Sequence, residues 1–185
     1  MALASSELQY AGNGEVYVAP VGTTMPTDVT TALAVTWIGL GYTTPDGVRL
    51  SPSMDINDID AWQSLYPIDK RVSSRDLQIG FSLLQVNKET FKLTFGGGTW
   101  STVTGTHKFV PPAPEAIDYR AVVVELIDGA NKTRVLVPKV MVSDPGELQI
   151  RRSEPAAIDI TLSLVTTGSG DPYNVLSNDA KFATA

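Results

Sequence analysis

Cysteine is absent from the 185 residues. Disulfides, thiolate nucleophiles and Cys-based zinc or iron–sulfur sites are excluded with it. Histidine is nearly absent: His107 stands alone, in an extended THKFVPP segment with nothing resembling a nucleophile elbow beside it. A catalytic histidine works with a nucleophile and an orienting group, so a structural or solvated role is expected for His107. One histidine and no cysteine leave carboxylates as metal ligands, and these suit only a hard cation. Basic residues are in short supply, 14 Lys and Arg against 20 Asp and Glu, for a formal net charge of −6. Gripping nucleic acid requires clustered Lys and Arg on the phosphates, so that class is disfavoured. A protein that DNA passes without sticking is not. No run approaches the roughly 18 apolar residues of a membrane span. The start, MALASSELQY, has neither the basic region nor the apolar core of a secretory signal. A subunit made soluble, without membrane anchoring, is expected.

What is present is alternation. Hydrophobic residues make up 43% and charged residues 18%, an ordinary globular composition. The length fits one domain over residues 1–185, with no internal repeat and no Pro-rich linker. The 15 glycines and 12 prolines are spread as turns between short strands would require. Residues 14–21 read as a first strand, and 33–42, carrying Trp37, as a second apolar run. A turn at Thr44-Pro45-Asp46-Gly47 leads to a segment in which Leu50, Met54 and Ile56 alternate with Ser51, Ser53, Asp55 and Asn57. Pro52 there argues for a non-central strand or a bulge. From Asp60 to Ser74 the pattern breaks, and a long loop is predicted. It resumes at Leu77, Ile79, Phe81 and Leu83. A helix follows, with Asn87 as N-cap, Phe91 and Phe95 on one face, and Gly96–Gly98 as stop. Strands are read at 107–111 and 119–127, the latter turning through 128–131 into TRVLVPKVMVS. ELQIRR and AIDITLSLV form a last pair, and from about residue 168 a polar, flexible tail is expected. Eight or more strands with one short helix predict a mainly β fold, a sandwich or open barrel.

Few places remain for chemistry. Asp55, Asp58 and Asp60 are the best carboxylate cluster, but they lack the glycine and distal Glu of a calcium loop. Alternation also puts Asp55 on the face opposite the other two, so a solvated acidic edge is the better reading. Gly96-Gly97-Gly98 follow a helix, whereas a phosphate-binding loop precedes one. Trp37, Trp62 and Trp100 show no repeated spacing and are assigned to core or subunit contacts. No metal, cofactor or catalytic residue is expected.

The segments GEVYVAPVGTTMPTD (14–28), WIGLGYTTPDGVRLS (37–51) and AWQSLYPIDKRVSSRDLQIGFSLLQVNKETFKLTFGGG (61–98) resemble the major tail tube proteins of siphophages, especially those of actinobacteria. AIDYRAVVVELIDG and DITLSLV follow the same pattern more loosely. The order of these blocks carries the resemblance, which spans most of the chain. It implies a β-sandwich or open barrel with a flanking helix, assembled into hexameric rings whose inner sheets form one large barrel around a DNA-conducting lumen. It also implies a virion (tail) location after synthesis in the host cytoplasm. The implied partners are other copies of the chain and the tape-measure, tail-tip and tail-terminator proteins, with double-stranded DNA in transit and not specifically bound. No segment corresponds to the C-terminal immunoglobulin-like domain of some members, so an undecorated tail is expected.

On that reading a sheet with one core face and one small, polar face suits a wet pore wall, although any exposed sheet face is polar. The lumen-facing set is then Ser51, Ser53, Asp55, Asn57, Gln78, Ser82, Gln149, Asp159, Thr161 and Ser163. With Glu147 and Arg151 on the same strands, the face is expected to be net acidic, which lets DNA slide. The predicted loop 60–74 is nominated for ring stacking. Trp62, Leu65 and Tyr66 are its apolar anchors, and Lys70, Arg71 and Arg75 the basic complement of Asp55, Asp58 and Asp60. Two alternatives stand beside this: the inner tube of a contractile injection machine, and a monomeric β-sandwich binding module. An enzyme comes behind both.

Overall fold

The computed structural model describes residues 8–168 and 170–183. The first seven residues, on which the reading of the N-terminus mainly falls, lie outside that range, as do Ser169, Thr184 and Ala185. The fold is mainly β with one short helix, as expected. Its strands are β1 (Asn13–Pro20), β2 (Ile38–Gly39), β3 (Thr43–Ile59), β4 (Asp69–Leu83), β5 (Thr99–Val103) and β6 (Thr106–Val110). Then come β7 (Arg120–Asp128), β8 (Asn131–Asp144), β9 (Leu148–Gln149), β10 (Ala157–Leu164) and β11 (Asn174–Ser177), and α1 covers Lys88–Thr94. Nine strands form one antiparallel sheet in the order β2-β1-β7-β8-β10-β4-β3, with β11 beside β8 and β9 beside β10. β5 and β6 form a separate hairpin.

The large sheet folds over on itself as an open sandwich. β8 makes the corner: its first half pairs with β7 and its last residues with β10. The register to β7 slips between Arg120 and Val122, leaving Pro138 and Lys139 opposite Ala121 alone. A proline without an N–H is tolerated at such a bulge, and the bulge bends the strand. Between the two halves lie Val16, Val122, Val124, Val137, Ile79, Phe81, Ile158, Ile160 and Leu162 in one core. These are the inward positions that alternation selects.

The run Ala121–Val124 is buried throughout because the sheet is covered on both sides there. Ala121 and Val123 point outward, under Met25, Leu33 and Trp37 of the 21–37 segment and Leu176 of β11. This corrects two expectations. The apolar run 33–42 contributes only the two-residue β2; Leu33 and Trp37 belong to a loop that caps the sheet, and Val35 is exposed. The segment after Gly168 is also not featureless, since Asn174–Ser177 pair with Thr133–Leu136.

A buried ion pair ties that loop down. Arg134 donates to Glu125 from Nε at 2.6 Å and to the carbonyls of Asp28 (2.7 Å) and Thr31 (2.9 Å). The Asp28 carboxylate accepts from the backbone N–H groups of Thr30 and Thr31, which hold it well below the usual carboxylate pKa, the Thr31 bond first. α1 follows its sequence cues: the Asn87 side chain accepts from Glu89 N–H and Thr90 N–H, and Thr90 reciprocates. Phe91 and Phe95 stack against Trp100 and Phe109 of the β5–β6 hairpin. That hairpin turns through Thr104 and Gly105, both at positive φ, the requirement of a tight two-residue connection.

Candidate assembly surfaces

β3 and β4 build a long arm. Their ladder runs from Val48↔Phe81 out to Ile59↔Asp69, so the predicted loop 60–74 shrinks to the tip at 60–68. Near the core, Leu77 and Ile79 face inward and are buried. Beyond Leu77 the strands leave the core, and both faces of the arm are open. A bulge at Ser73 shifts the phase, with Asp55 opposite Ser74 but Ile56 opposite Val72. The extra Ser73 donates its hydroxyl to the Asp55 carbonyl at 3.2 Å. Pro52 sits on β3, the outermost strand of the sheet, the place where a proline is tolerated.

Register decides which side chains share a face. Ser51 is opposite Gln78, Asp55 opposite Ser74, and Asn57 opposite Arg71. Across β4, Gln78 is opposite Ser163, Gly80 opposite Thr161, and Ser82 opposite Asp159. Gln149 is opposite Ala157, two residues from Asp159 and therefore on the same side. With Ser53 opposite Asp76, all ten residues singled out in the sequence lie on one face of a four-track sheet: β3, β4, β10 and the β8–β9 edge. They are exposed or half-buried. Hydrogen bonds knit the face: Ser82 donates to Asp159, Ser74 to Asp55 at 2.7 Å, and Ser163 to both oxygens of Asp76 at 3.0 and 3.1 Å. The Arg49 guanidinium lies across Gly80, where a Cβ would come within 3.0 Å of it.

A family model described as phage tail tube protein matches residues 1–185. The chain belongs to that family. It is a structural component of the phage tail, and no curated protein matches it.

The polar face of this tail tube subunit is less one-sided in charge than the sequence implied. Asp55, Asp76 and Asp159 are joined by Arg49 and Arg71, which the pairings put on the same side. The sequence pattern puts Arg71 in the stacking loop, whereas it sits on β4 opposite Asn57. Lys70 and Arg75 are likewise strand residues, on the other face, opposite Asp58 and Met54. Lys70 is paired with Asp58 at 2.6 Å. The tip retains Trp62, Leu65 and Tyr66, and Trp62 is 100% exposed. Lys70 and Asp58 thus pair across the arm, whereas Arg71 and Arg75 face Asn57 and Met54, so the charges do not divide into two ends of a loop.

The tail tube subunit also shows where the isolated candidates fall. His107 lies on the exposed β6 hairpin with Nδ1 2.8 Å from Thr102 Oγ1. Asp55 and Asp58 are on opposite faces of β3, engaged by Ser74 and Lys70. Among the described residues no three His, Asp or Glu side chains converge as metal ligands, and no helix is long and apolar enough to cross a membrane. Hydrophobic alternation does not mark β5, because Trp100 is its only half-buried residue. The signal that would have found it is the Val103-Thr104-Gly105-Thr106 turn.

Proposed function

We infer that copies of this chain close into hexameric rings that stack into the tube of a non-contractile phage tail, with the polar face of β3, β4, β10 and β9 lining the lumen through which DNA leaves. The observation that carries the reading is the gathering of the ten small or polar residues on one side of a sheet with two unpaired edges. Among the described residues no strand pairs the outer edge of β3, nor that of β9 and of β8 beyond Val140. Open edges this long aggregate unless another strand covers them. Neighbours in the sheet run antiparallel from β3 to β9, so β3 runs opposite to β9. Joining β3 of one copy to the β8–β9 edge of the next therefore continues an antiparallel barrel, and closed symmetry ends lateral growth.

The face is well suited to passing a polyanion. Its acids are already engaged by serine hydroxyls and balanced in part by Arg49 and Arg71, so it offers no basic track for phosphates to settle on. The projecting tip with Trp62, Leu65 and Tyr66 serves ring stacking, since aromatic side chains are enriched at interface centres. Tape-measure, tail-tip and terminator proteins are the partners of such a tube, and DNA is its unbound cargo. Concentrated purified protein, alone or with tail-tip nuclei, is expected to form uniform hollow filaments under the electron microscope. Strictly monomeric protein in every condition, together with its absence from purified virions, would reject this function.

A further inference from the structure

We propose that the apolar back of the β3–β4 arm docks into a notch between α1 and the β8–β9 turn of the next copy in the ring, completing a core that each subunit leaves half built. The inference rests on the ring reading and goes further by naming both contact surfaces.

Two unsatisfied features carry it. On the arm, Leu50, Met54 and Ile56 of β3 and Val72 of β4 occupy the side opposite the polar face, and each is between 39 and 49% exposed. They continue the buried row of Leu77, Ile79 and Phe81 outward into water. Along β3 the row is unbroken through Pro52, while on β4 Arg75 stands opposite Met54 and the Lys70–Asp58 pair bounds the outer end. An apolar row with a charged rim of this kind marks a contact surface. On the far edge of the same sheet, Thr94, Phe95, Gly96, Val142, Pro145, Gly146 and Leu148 line an open notch of about 410 Å³. Val142 and Leu148 pack partly against the main core, so the notch opens on the core side of the sheet. The end of α1 roofs it, and Phe95 is itself exposed.

The sheet brings the two together. When the β3 edge joins the β8–β9 edge of a neighbour, core-side residues of β3 fall beside core-side residues of β8 and β9, because the pleat preserves sidedness across a ladder. Leu50, Met54 and Ile56 then run under the neighbour's helix end and against its Val142 and Leu148. Within one chain the contact is impossible, since β4 and β10 separate the two edges by three strand spacings of about 4.8 Å each. A protrusion and a notch on different surfaces of one molecule make a head-to-tail interface, which closes into a ring when the rotation permits.

The proposal is tested by photo-crosslinking in assembled tubes. p-Benzoylphenylalanine is placed at position 54 of ¹⁵N-labelled protein, which is then co-assembled as a minor fraction with unlabelled wild-type protein, irradiated, digested and analysed by mass spectrometry. A second variant carries the same group at position 148. Adducts joining labelled residue 54 to unlabelled peptides from 94–96 or 142–148 are expected, and residue 148 should reach 50–56 of another copy. Tubes whose adducts lie elsewhere, or only within one isotope, would overturn the docking while leaving the tube function standing. Wild-type protein that yields no rings at all would overturn both.

Discussion

Arg134 and Glu125 are only 2% and 6% exposed, and their partners explain why ionised groups can lie so deep. The guanidinium satisfies one carboxylate and two loop carbonyls at once, which meets the requirement that a buried charge be paired and fully hydrogen-bonded. Arg134→Ala would leave Glu125 buried without a counter-charge and release the 28–31 segment. A loss of about 3–5 kcal/mol in unfolding free energy is expected, measured by chemical denaturation of the monomer. Asp28 adds a pH dependence. Its pKa is depressed in the folded state by the N–H groups of Thr31 and Thr30, so its contribution is present above the unfolded value of about 4 and is lost as pH falls below it. The Asp28→Asn variant should therefore be less stable than wild type at pH 7, with the gap narrowing steadily below pH 4. Denaturation midpoints across that range check the sign.

The strands were legible wherever one face meets the core. Leu77, Ile79, Phe81 and Leu83, or Ile158, Ile160 and Leu162, alternate because burial enforces a period of two. The distal arm is the instructive exception. Lys70 to Arg75 show no alternation because neither face of that stretch is buried in one chain, and the bulge at Ser73 breaks the phase. A strand with neither face buried looks like a loop. Leu33 and Trp37 fail in the opposite sense: they are apolar because they cap a sheet, not because they belong to one. The polar face was legible, since Ser51 to Asn57 and Asp159 to Ser163 keep step with the core residues between them. Arg49, Asp76 and Arg71 joined it only through register. The arm also locates the expected energetics of assembly. Trp62 and Leu65 touch nothing that stabilises the monomer, so Trp62→Ala combined with Leu65→Ala should shift monomer stability by no more than about 0.5 kcal/mol. The same variant should abolish or shorten tubes, read from filament length in electron micrographs beside a melting curve.

At the scale of the whole molecule, the fold divides into a layer covered on both faces and a layer left open. The β1–β7–β8 layer is covered on both faces and carries the loop staple. The β3–β4–β10–β9 layer keeps one face polar and, among the described residues, both edges unpaired, which suits a wall segment of a larger barrel. If that face lines the lumen, its charge governs passage of DNA more than stability. Asp55→Lys with Asp159→Lys should leave tube assembly intact while slowing DNA delivery in a salt-sensitive way, measured as ejection kinetics at two ionic strengths. The orientation of this layer in the assembled tube is the central claim, and a helical reconstruction by cryo-electron microscopy reads it directly. The account predicts Ser51, Asp55, Gln78, Asp159 and Thr161 on the inner wall, with β3 laddered to the β8–β9 edge of the adjacent copy. A tube in which that face points outward, or is buried between subunits, would contradict it.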